Sequence, residues 1–446
     1  MTDNVDALAA RVRVQVGAAL SARLQAREAQ GLPPLGRADQ RALTSELISA
    51  VLAQHAQTQL ADGGQLLSAQ VEEQISRTVL DSLYGLGGLQ PLLDDPSIEN
   101  ISVNGCDVVW VRRFDGRRER LPAVARSDAE LVELVRTVVA RAGVEERRWD
   151  RASPEVSCQL PDGSRLHALM AVAHRPVVSI RRHRYQQITL DQLVTDLGML
   201  NAELRHFLNR LVLARRNLLI AGGTGIGKTT FLRALAADIP YTERIITIED
   251  SYELGLDRDG QHGDVVALQA REPNIEGEGA FSQADLARSA LRMSPDRVIV
   301  GEVRGAEVIP MLNAMSMGVD GSMATIHASS SGAVFLKLAA YAAQAAERLS
   351  MEATMLLAAS AAHFVIHLGY TPDGRRVVSS VREVVGADGM IISTNEVWRP
   401  GPDRAAVPGA PLRPDTAALL ARVDNHQHSY RAPSADSSPD GGWAPW

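Results

Sequence analysis

The chain has 446 residues, with 46 Lys and Arg against 53 Asp and Glu, for a net charge of −7. Its 45 % hydrophobic, 22 % charged and 4 % aromatic content suits two or three soluble domains with cores of Ala, Val, Leu and Ile. This balance argues against a general nucleic-acid coat, no apolar run reaches membrane-spanning length, and Cys106 and Cys158 show no metal-ligand spacing and read as buried, reduced thiols.

Met1 to Asp6 is acidic and lacks the apolar stretch of a secretory signal. Residues 1–34 alternate apolar and charged at helical spacing (Leu8, Val12, Val16, Leu20), and Gly31-Leu32-Pro33-Pro34 ends the pattern. They read as a loosely attached amphipathic arm. Residues 38–84 give two further helices, with Val71, Ile75, Val79 and Leu83 as a packing stripe. Residues 97–105 alternate with period two, and Val108–Arg112 is the return strand of a hairpin. A helix over 127–143 and strands near 164–171 and 177–182 complete a small α+β domain at 85–185. Residues 186–200 carry few signals and read as a hinge.

From residue 201 helix and strand alternate, with strands expected at 217–221, 244–249, 297–301 and 322–326. This is an α/β sheet with helices on both faces. Further helices are expected at 331–348 and 351–361, and strands at 363–369 and 376–385. Eight of the 21 prolines fall in 397–446, which reads as a disordered tail.

The chemistry centres on Gly222-Gly223-Thr224-Gly225-Ile226-Gly227-Lys228-Thr229-Thr230, which follows an apolar strand and opens a helix. That is the context of a phosphate-binding loop. Glycines let the backbone amides turn toward one phosphate, and the helix adds its positive dipole end. Lys228 is expected on the β- and γ-phosphates of a nucleoside triphosphate and the Thr229 hydroxyl on Mg²⁺.

Three more strands end in polar residues where an α/β sheet binds its ligands. The segment 244–254 ends in carboxylates, and Glu249 and Glu253 are candidates to hold Mg²⁺ through water. A solvated turn is the plainer alternative. The segment 297–305 ends in Glu302, the candidate water-activating base, whose alternative is an acid facing a helix dipole. The segment 321–328 ends in His327, a candidate γ-phosphate contact.

The ordered motifs at 222–230, 248–254, 290–305 and 325–328 together resemble the secretion ATPase superfamily, the motors of type II and type IV secretion and of type IV pili. Leu-Pro-Asp-Gly-Ser-Arg (160–165), Ser-Ile-Arg (179–181), Gly-Leu-Gly-Gly-Leu-Gln-Pro-Leu-Leu (85–93) and Val-Asn-Gly (103–105) are most similar to its CpaF-like branch, which powers Tad/Flp pili. The likeness covers roughly residues 80–385.

The resemblance implies a RecA-like phosphate-loop ATPase domain at 201–396. Before it stand a helical region at 1–84, an α+β, PAS-like domain at 85–185 and the 186–200 linker, and after it the 397–446 tail. It implies ATP and Mg²⁺ as cofactors and a homo-hexamer. It also implies inner-membrane platform proteins as partners and a cytoplasmic place at the inner face of the membrane, while the acidic net charge disfavours direct nucleic-acid binding. Arg165 and Arg181 are implied as the arginines that complete the site from the N-terminal domain, with Arg271, Arg292 and Arg304 as looser matches. The sequence departs from the family at Ala-His-Arg-Pro (173–176) and at Ser329, where Asn is usual. A conjugation-type DNA-transfer motor and a nucleotide-dependent scaffold or partition switch are the alternatives.

Overall fold

The computed structural model describes residues 2–141, 149–160, 162–182, 187–271, 273 and 277–429. The chain forms two compact units, Met1–Arg184 and Tyr185–Trp446.

The first unit opens with three helices, α1 (Thr2–Ala29), α2 (Arg37–Ala61) and α3 (Ala69–Leu83). Leu8, Val12 and Val16 recur every fourth residue along one face of α1. They pack with Ile48 and Leu52 of α2 and with Ile75 and Val79 of α3. The expected loose arm is therefore corrected. The stripe on α1 has a matching stripe to bury, and burying each large side chain is worth about 1.5–3 kcal/mol.

A short helix α4 (Gln90–Asp94) leads into strands β1 (Ile98–Asn104), β2 (Val109–Arg113) and β3 (Arg118–Leu121), then helix α5 (Asp128–Arg141) and strands β4 (Glu155–Gln159), β5 (Arg165–Leu169) and β6 (Val177–Arg181). The sheet order is β3-β2-β1-β6-β5-β4, and every pairing is antiparallel. One face packs Ile101, Val103, Val111, Leu166, Ala168, Val178 and Ile180 against Leu131 and Val135 of α5. The alternate residues form a polar face, as the strand period requires. The sequence located the β1–β2 hairpin, β5 and β6, and missed β3 and β4.

The second unit begins with α6 (Leu190–Thr195) and α7 (Ala202–Leu213), then β7 (Leu218–Gly222), α8 (Lys228–Ala236), β8 (Arg244–Glu249), β9 (Asp264–Gln269), α9 (Gln283–Ala290), β10 (Arg297–Val303), α10 (Val308–Ser316) and β11 (Met323–His327). It ends with α11 (Ala333–Gln344), α12 (Met351–Ala361), β12 (Phe364–Tyr370), β13 (Arg376–Asp388), β14 (Ile391–Pro400), β15 (Ala406–Pro408) and α13 (Pro414–Ser429).

Its nine strands run in the order β15-β14-β13-β12-β7-β11-β10-β8-β9. From β12 to β9 neighbours are parallel, and β13 to β15 extend the sheet antiparallel. A six-stranded parallel core that holds the phosphate-loop strand β7 between β12 and β11 is a RecA-like arrangement. Leu218 and Ile220 of β7 enter a core with α6, α7 and α8, while Leu219 and Ala221 enter one with α9 to α12 on the other face.

Two sequence expectations are corrected here. Residues 187–200 are no bare hinge, because Leu190 and Leu193 of α6 are buried in the core beside α8. Residues 397–429 are not disordered. Trp398 on β14 is buried, and Leu420 on α13 is 1 % exposed. The buried carboxylate of Glu383 holds the start of α13, accepting from Arg413 N at 3.0 Å and from the Thr416 hydroxyl at 2.5 Å. The prolines misled the reading because they occupy tolerated places. Pro400 and Pro408 lie on the outermost strand pair, and Pro414 opens a helix. Residues 430–446 lie outside the described residues.

Candidate functional site

Gly222 is the last residue of β7. Its register partners are His327 on one side and Leu368 on the other. A Cβ at Gly222 would lie 2.9 Å from Ile226 Cγ2 and 3.0 Å from the Leu368 carbonyl oxygen, so glycine is required for the loop to leave the sheet here. Gly225 and Gly227 have φ of 73° and 101°, in the left-handed region that favours glycine. Gly227 is the N-cap of α8, and the first helical bond runs from Phe231 N to Gly227 O at 2.9 Å. Amides ahead of that bond point out of the helix end, where the dipole is positive. Nothing lies within 4 Å of where a side chain would begin at Gly223, Gly225 or Gly227. The loop is thus an open cradle built for an anion, and the residues present fit a nucleotide's phosphates.

Lys228 folds over this cradle. Its Nζ donates to the Gly222 and Gly223 carbonyls at 3.3 and 3.2 Å, and lies 3.1 Å from His327 Nδ1 and 3.6 Å from Glu302 Oε1. His327 Nε2 is 2.7 Å from the same Glu302 oxygen. A neutral imidazole with its proton on Nε2 donates to Glu302, while Lys228 Nζ lies against the ring, 3.1 Å from Nδ1 and 3.4 Å from Nε2. Glu302 also accepts from Arg304 Nε, and Arg304 Nη1 reaches Asp250 at 3.3 Å. Burial pushes the Glu302 carboxyl up, but Arg304, His327 and Lys228 outweigh it and hold it below the usual glutamate value. Burial, and then Lys228, depress His327. At neutral pH the cluster is an ionised carboxylate, a neutral imidazole and a lysine.

Glu249 is placed differently from the sequence expectation. It is only 2 % exposed, and its Oε2 accepts from the backbone amides of Glu253 and Leu254 at 2.7 and 2.8 Å. Burial pushes its carboxyl up to about 7 against the pull of those two hydrogen bonds. The side chain is turned into the turn that follows β8, which it closes. Glu253 is half-buried beside it, and Arg233 of α8 is a nearby counter-charge to both. Thr229 is half-buried in the first turn of α8. Among the described residues no group of three or more His, Cys, Asp or Glu side chains is arranged to hold a metal by itself. A donor set of one hydroxyl and one or two carboxylates fits Mg²⁺ only together with phosphate oxygens and water, which is how that ion is commonly held.

Arg165 and Arg181 belong to the first unit. They are register partners on β5 and β6, on the face away from the core. With Asn100, Ser102, His167 and Ser179 they line a hollow of about 250 Å³. The sequence reading missed those four, although the strand alternation places all six on one face. Arg271 pairs with Phe281 through the backbone and donates from Nε to the Gly279 carbonyl at 2.7 Å, bridging the two ends of the 271–281 segment. Arg292 lies in a short turn over Leu291–Met293. Arg304 was a loose arginine candidate, and its bridge between Glu302 and Asp250 became visible only in three dimensions.

The family model described as type II/IV secretion system protein matches residues 83–372. The chain belongs to this family. A putative conjugal transfer protein of Mycobacterium tuberculosis is 33 % identical over 332 residues, covering 72 % of this chain and 90 % of the relative. The type IV secretion system protein VirB11 of Brucella suis is 31 % identical over 280 residues, covering 57 % of this chain and 76 % of the relative. Among solved structures, the Brucella suis VirB11 ATPase in complex with sulphate is 28 % identical, covers 67 % of this chain and 96 % of that chain, and has a TM-score of 0.37. The match to this secretion family ends at Tyr370-Thr371-Pro372, so β13 to β15 and α13 lie beyond it. Among the described residues no helix is long and apolar enough to cross a membrane.

Proposed function

We propose that the chain is a secretion ATPase of the CpaF-like branch, which hydrolyses ATP as a homo-hexamer to power pilus assembly or protein secretion through inner-membrane platform proteins. The observation that carries this reading is the meeting of Lys228, Glu302 and His327 at the mouth of an open phosphate cradle. A cradle alone binds a triphosphate. An ionised carboxylate poised beside it supplies a base to orient and deprotonate water, and Lys228 supplies charge for the β- and γ-phosphates.

In this reading the amides of Gly222 to Thr230 and Lys228 hold the phosphates, with Thr224 and Ile226 shaping the loop. Thr229 and Glu253 are the side chains that would hold Mg²⁺, and Glu249 supports them by closing the turn that carries Glu253. When bound, that ion would neutralise charge on the β- and γ-phosphates. Glu302 orients the water. His327 reports the γ-phosphate to Lys228 and Glu302 through its two ring nitrogens. Arg165 and Arg181 supply the remaining positive charge from the N-terminal unit of the same or a neighbouring subunit, an effect that reaches roughly 10³–10⁵ in rate where it operates. The protein works in the cytoplasm against the inner face of the membrane.

The test is ATP hydrolysis by the full chain, measured across protein concentration. Specific activity falling on dilution supports a site completed between subunits. Lys228→Ala and Glu302→Gln are expected to abolish turnover, and either variant retaining it refutes the assignment. Arg165→Ala and Arg181→Ala are expected to lose turnover while keeping nucleotide binding.

A second reading is a conjugation-type motor for DNA transfer, favoured by the name of the Mycobacterium tuberculosis relative. Neighbouring genes separate the two, since a relaxase points to DNA transfer and pilins with small membrane platform proteins point to a pilus. A nucleotide-dependent scaffold or partition switch would show ATP binding without turnover in the assembled ring.

A further inference from the structure

The strands that follow residue 372 hold the loop that leaves His327. Arg382 on β13 donates from Nε to Ser331 Oγ at 2.8 Å. Its other two nitrogens reach Thr394 Oγ1 at 3.3 Å and Glu396 Oε1 at 3.0 Å, both on β14. Arg382 and Glu396 are register partners, so the guanidinium is fixed on the sheet before it meets the loop. Ser331 is buried, and its hydroxyl also pairs with Ser380 Oγ at 2.7 Å. One strand closer to β7, the His367 ring contacts Ser379 Oγ at 2.6 Å and hydrogen-bonds the Ala328 backbone. The four residues between His327 and the approach to α11 are therefore fastened at both ends.

We propose that Arg382 is a positioning residue for His327. Through Ser331 it fixes the loop that sets where the imidazole stands between Lys228 and Glu302. The inference rests on the ATPase reading for its kinetic consequence, but its structural consequence stands apart from that reading. The 2.7 Å contact of His327 with Glu302 is directional, and misplacing a reacting group by about 1 Å can cost about 10²-fold in rate. A planar fork with several donors suits a bridge among Ser331, Thr394 and Glu396, whereas a lysine has one point of attachment. This gives β13 and β14 a task in the site although they lie beyond the family match.

The rival role is plain stabilisation of the β13–β14 pairing. Glu383 separates the two roles. It neighbours Arg382 in sequence, but its buried carboxylate holds α13 rather than the histidine loop. The experiment compares Arg382→Met, Ser331→Ala and Glu383→Gln in the full chain. It reads hydrogen exchange of residues 325–336 without nucleotide, ATPase kcat and KM, and melting temperature.

Arg382→Met is expected to speed exchange at residues 328–332 about tenfold, and to lower kcat about tenfold with KM within about twofold. Ser331→Ala is expected to do part of this, and the double variant to be no worse than Arg382→Met, since the two changes break one link. Glu383→Gln is expected to lower the melting temperature with exchange at 325–336 and kcat unchanged. Unchanged exchange at 328–332 in both Arg382→Met and Ser331→Ala overturns the proposal, as does an Arg382→Met pattern identical to that of Glu383→Gln. Should Arg382→Met fail to fold, Ser331→Ala carries the same test. A wild type with no turnover but with the exchange response overturns the ATPase reading and supports the fastening of the loop.

Discussion

The imidazole of His327 stands 2.7 Å from the carboxylate of Glu302, with Lys228 Nζ 3.1 Å from the other ring nitrogen. The three residues come from three places in the chain and meet because β7, β11 and β10 are consecutive parallel strands. The contact ties the charge state of the candidate base to that of a histidine.

That tie sets a pH dependence. Burial and Lys228 hold His327 below its ordinary value of 6.5, and its cationic neighbours hold Glu302 below 4.5. Lowering pH through the histidine's range converts a neutral donor into a cation that locks Glu302 and repels Lys228. The kcat for ATP is expected to be level above the ordinary histidine value of 6.5 and to fall as pH drops below it. His327→Gln removes the titrating ring, so the limb should move to lower pH. A limb left in place in that variant assigns it to another group.

Glu249 gives a stability prediction of the opposite sense. Its carboxyl is raised from an ordinary 4.5 to about 7 by burial. Between those values the unfolded side chain is ionised and the folded one protonated, so folding takes up a proton. Stability therefore falls as pH rises through this window and stays reduced above it. Glu249→Gln has no proton to take up. Denaturant unfolding should show little difference from wild type at pH 4.5 and a gain of roughly 1–3 kcal/mol at pH 7.5. Equal differences at both pH values refute the shift.

Gly222→Ala tests the close approach at the end of β7. The added methyl would sit 2.9 Å from Ile226 Cγ2 and 3.0 Å from the Leu368 carbonyl. The side chain can yield but the sheet oxygen cannot, so the loop must shift off its amide geometry. Fluorescent-nucleotide titration is expected to show affinity reduced at least about tenfold, equivalent to about 1.4 kcal/mol. Unimpaired binding refutes the steric argument. Gly223→Ala, where nothing lies within 4 Å, serves as the contrast.

Arg297 is fully buried. It donates to Glu243 from Nε and Nη2 at 2.7 and 3.0 Å, and to the Val212 carbonyl from Nη1 at 2.9 Å. Removing one partner leaves a charge in a poorly solvated place. Arg297→Ala should cost about 3–5 kcal/mol in chemical denaturation, and Arg297→Met with Glu243→Leu should recover most of it. A single variant as stable as wild type shows that the pair carries little.

The second unit was the more readable part of the sequence. Its central strands are buried on both faces and appear as apolar runs such as Leu218–Ile220 and Val298–Val300. Strand β9 escaped because its residues are only half-buried at a sheet edge. The tail and the 186–200 segment were misjudged because composition reports propensity and says nothing of what an element docks against. Leu420 and Leu190 find cores that are distant in sequence. Within the candidate site, spacing located the phosphate loop and the strand-end acids. It could not tell Glu302, facing Lys228, from Glu249, folded back under two amides, because both follow an apolar strand. The Arg382–Ser331 link joins residues 51 positions apart and leaves no local pattern.

The outermost pair of strands has a consequence for solubility. Trp398 faces Pro408 and Pro400 faces Ala406, so the rim of the nine-stranded sheet is a three-residue strand ending in an imino acid. A proline has no amide hydrogen to offer an incoming chain, and so short a ladder gives a stray strand little to grip. On that flank the sheet resists templated growth into aggregates through its backbone chemistry, without needing a covering helix.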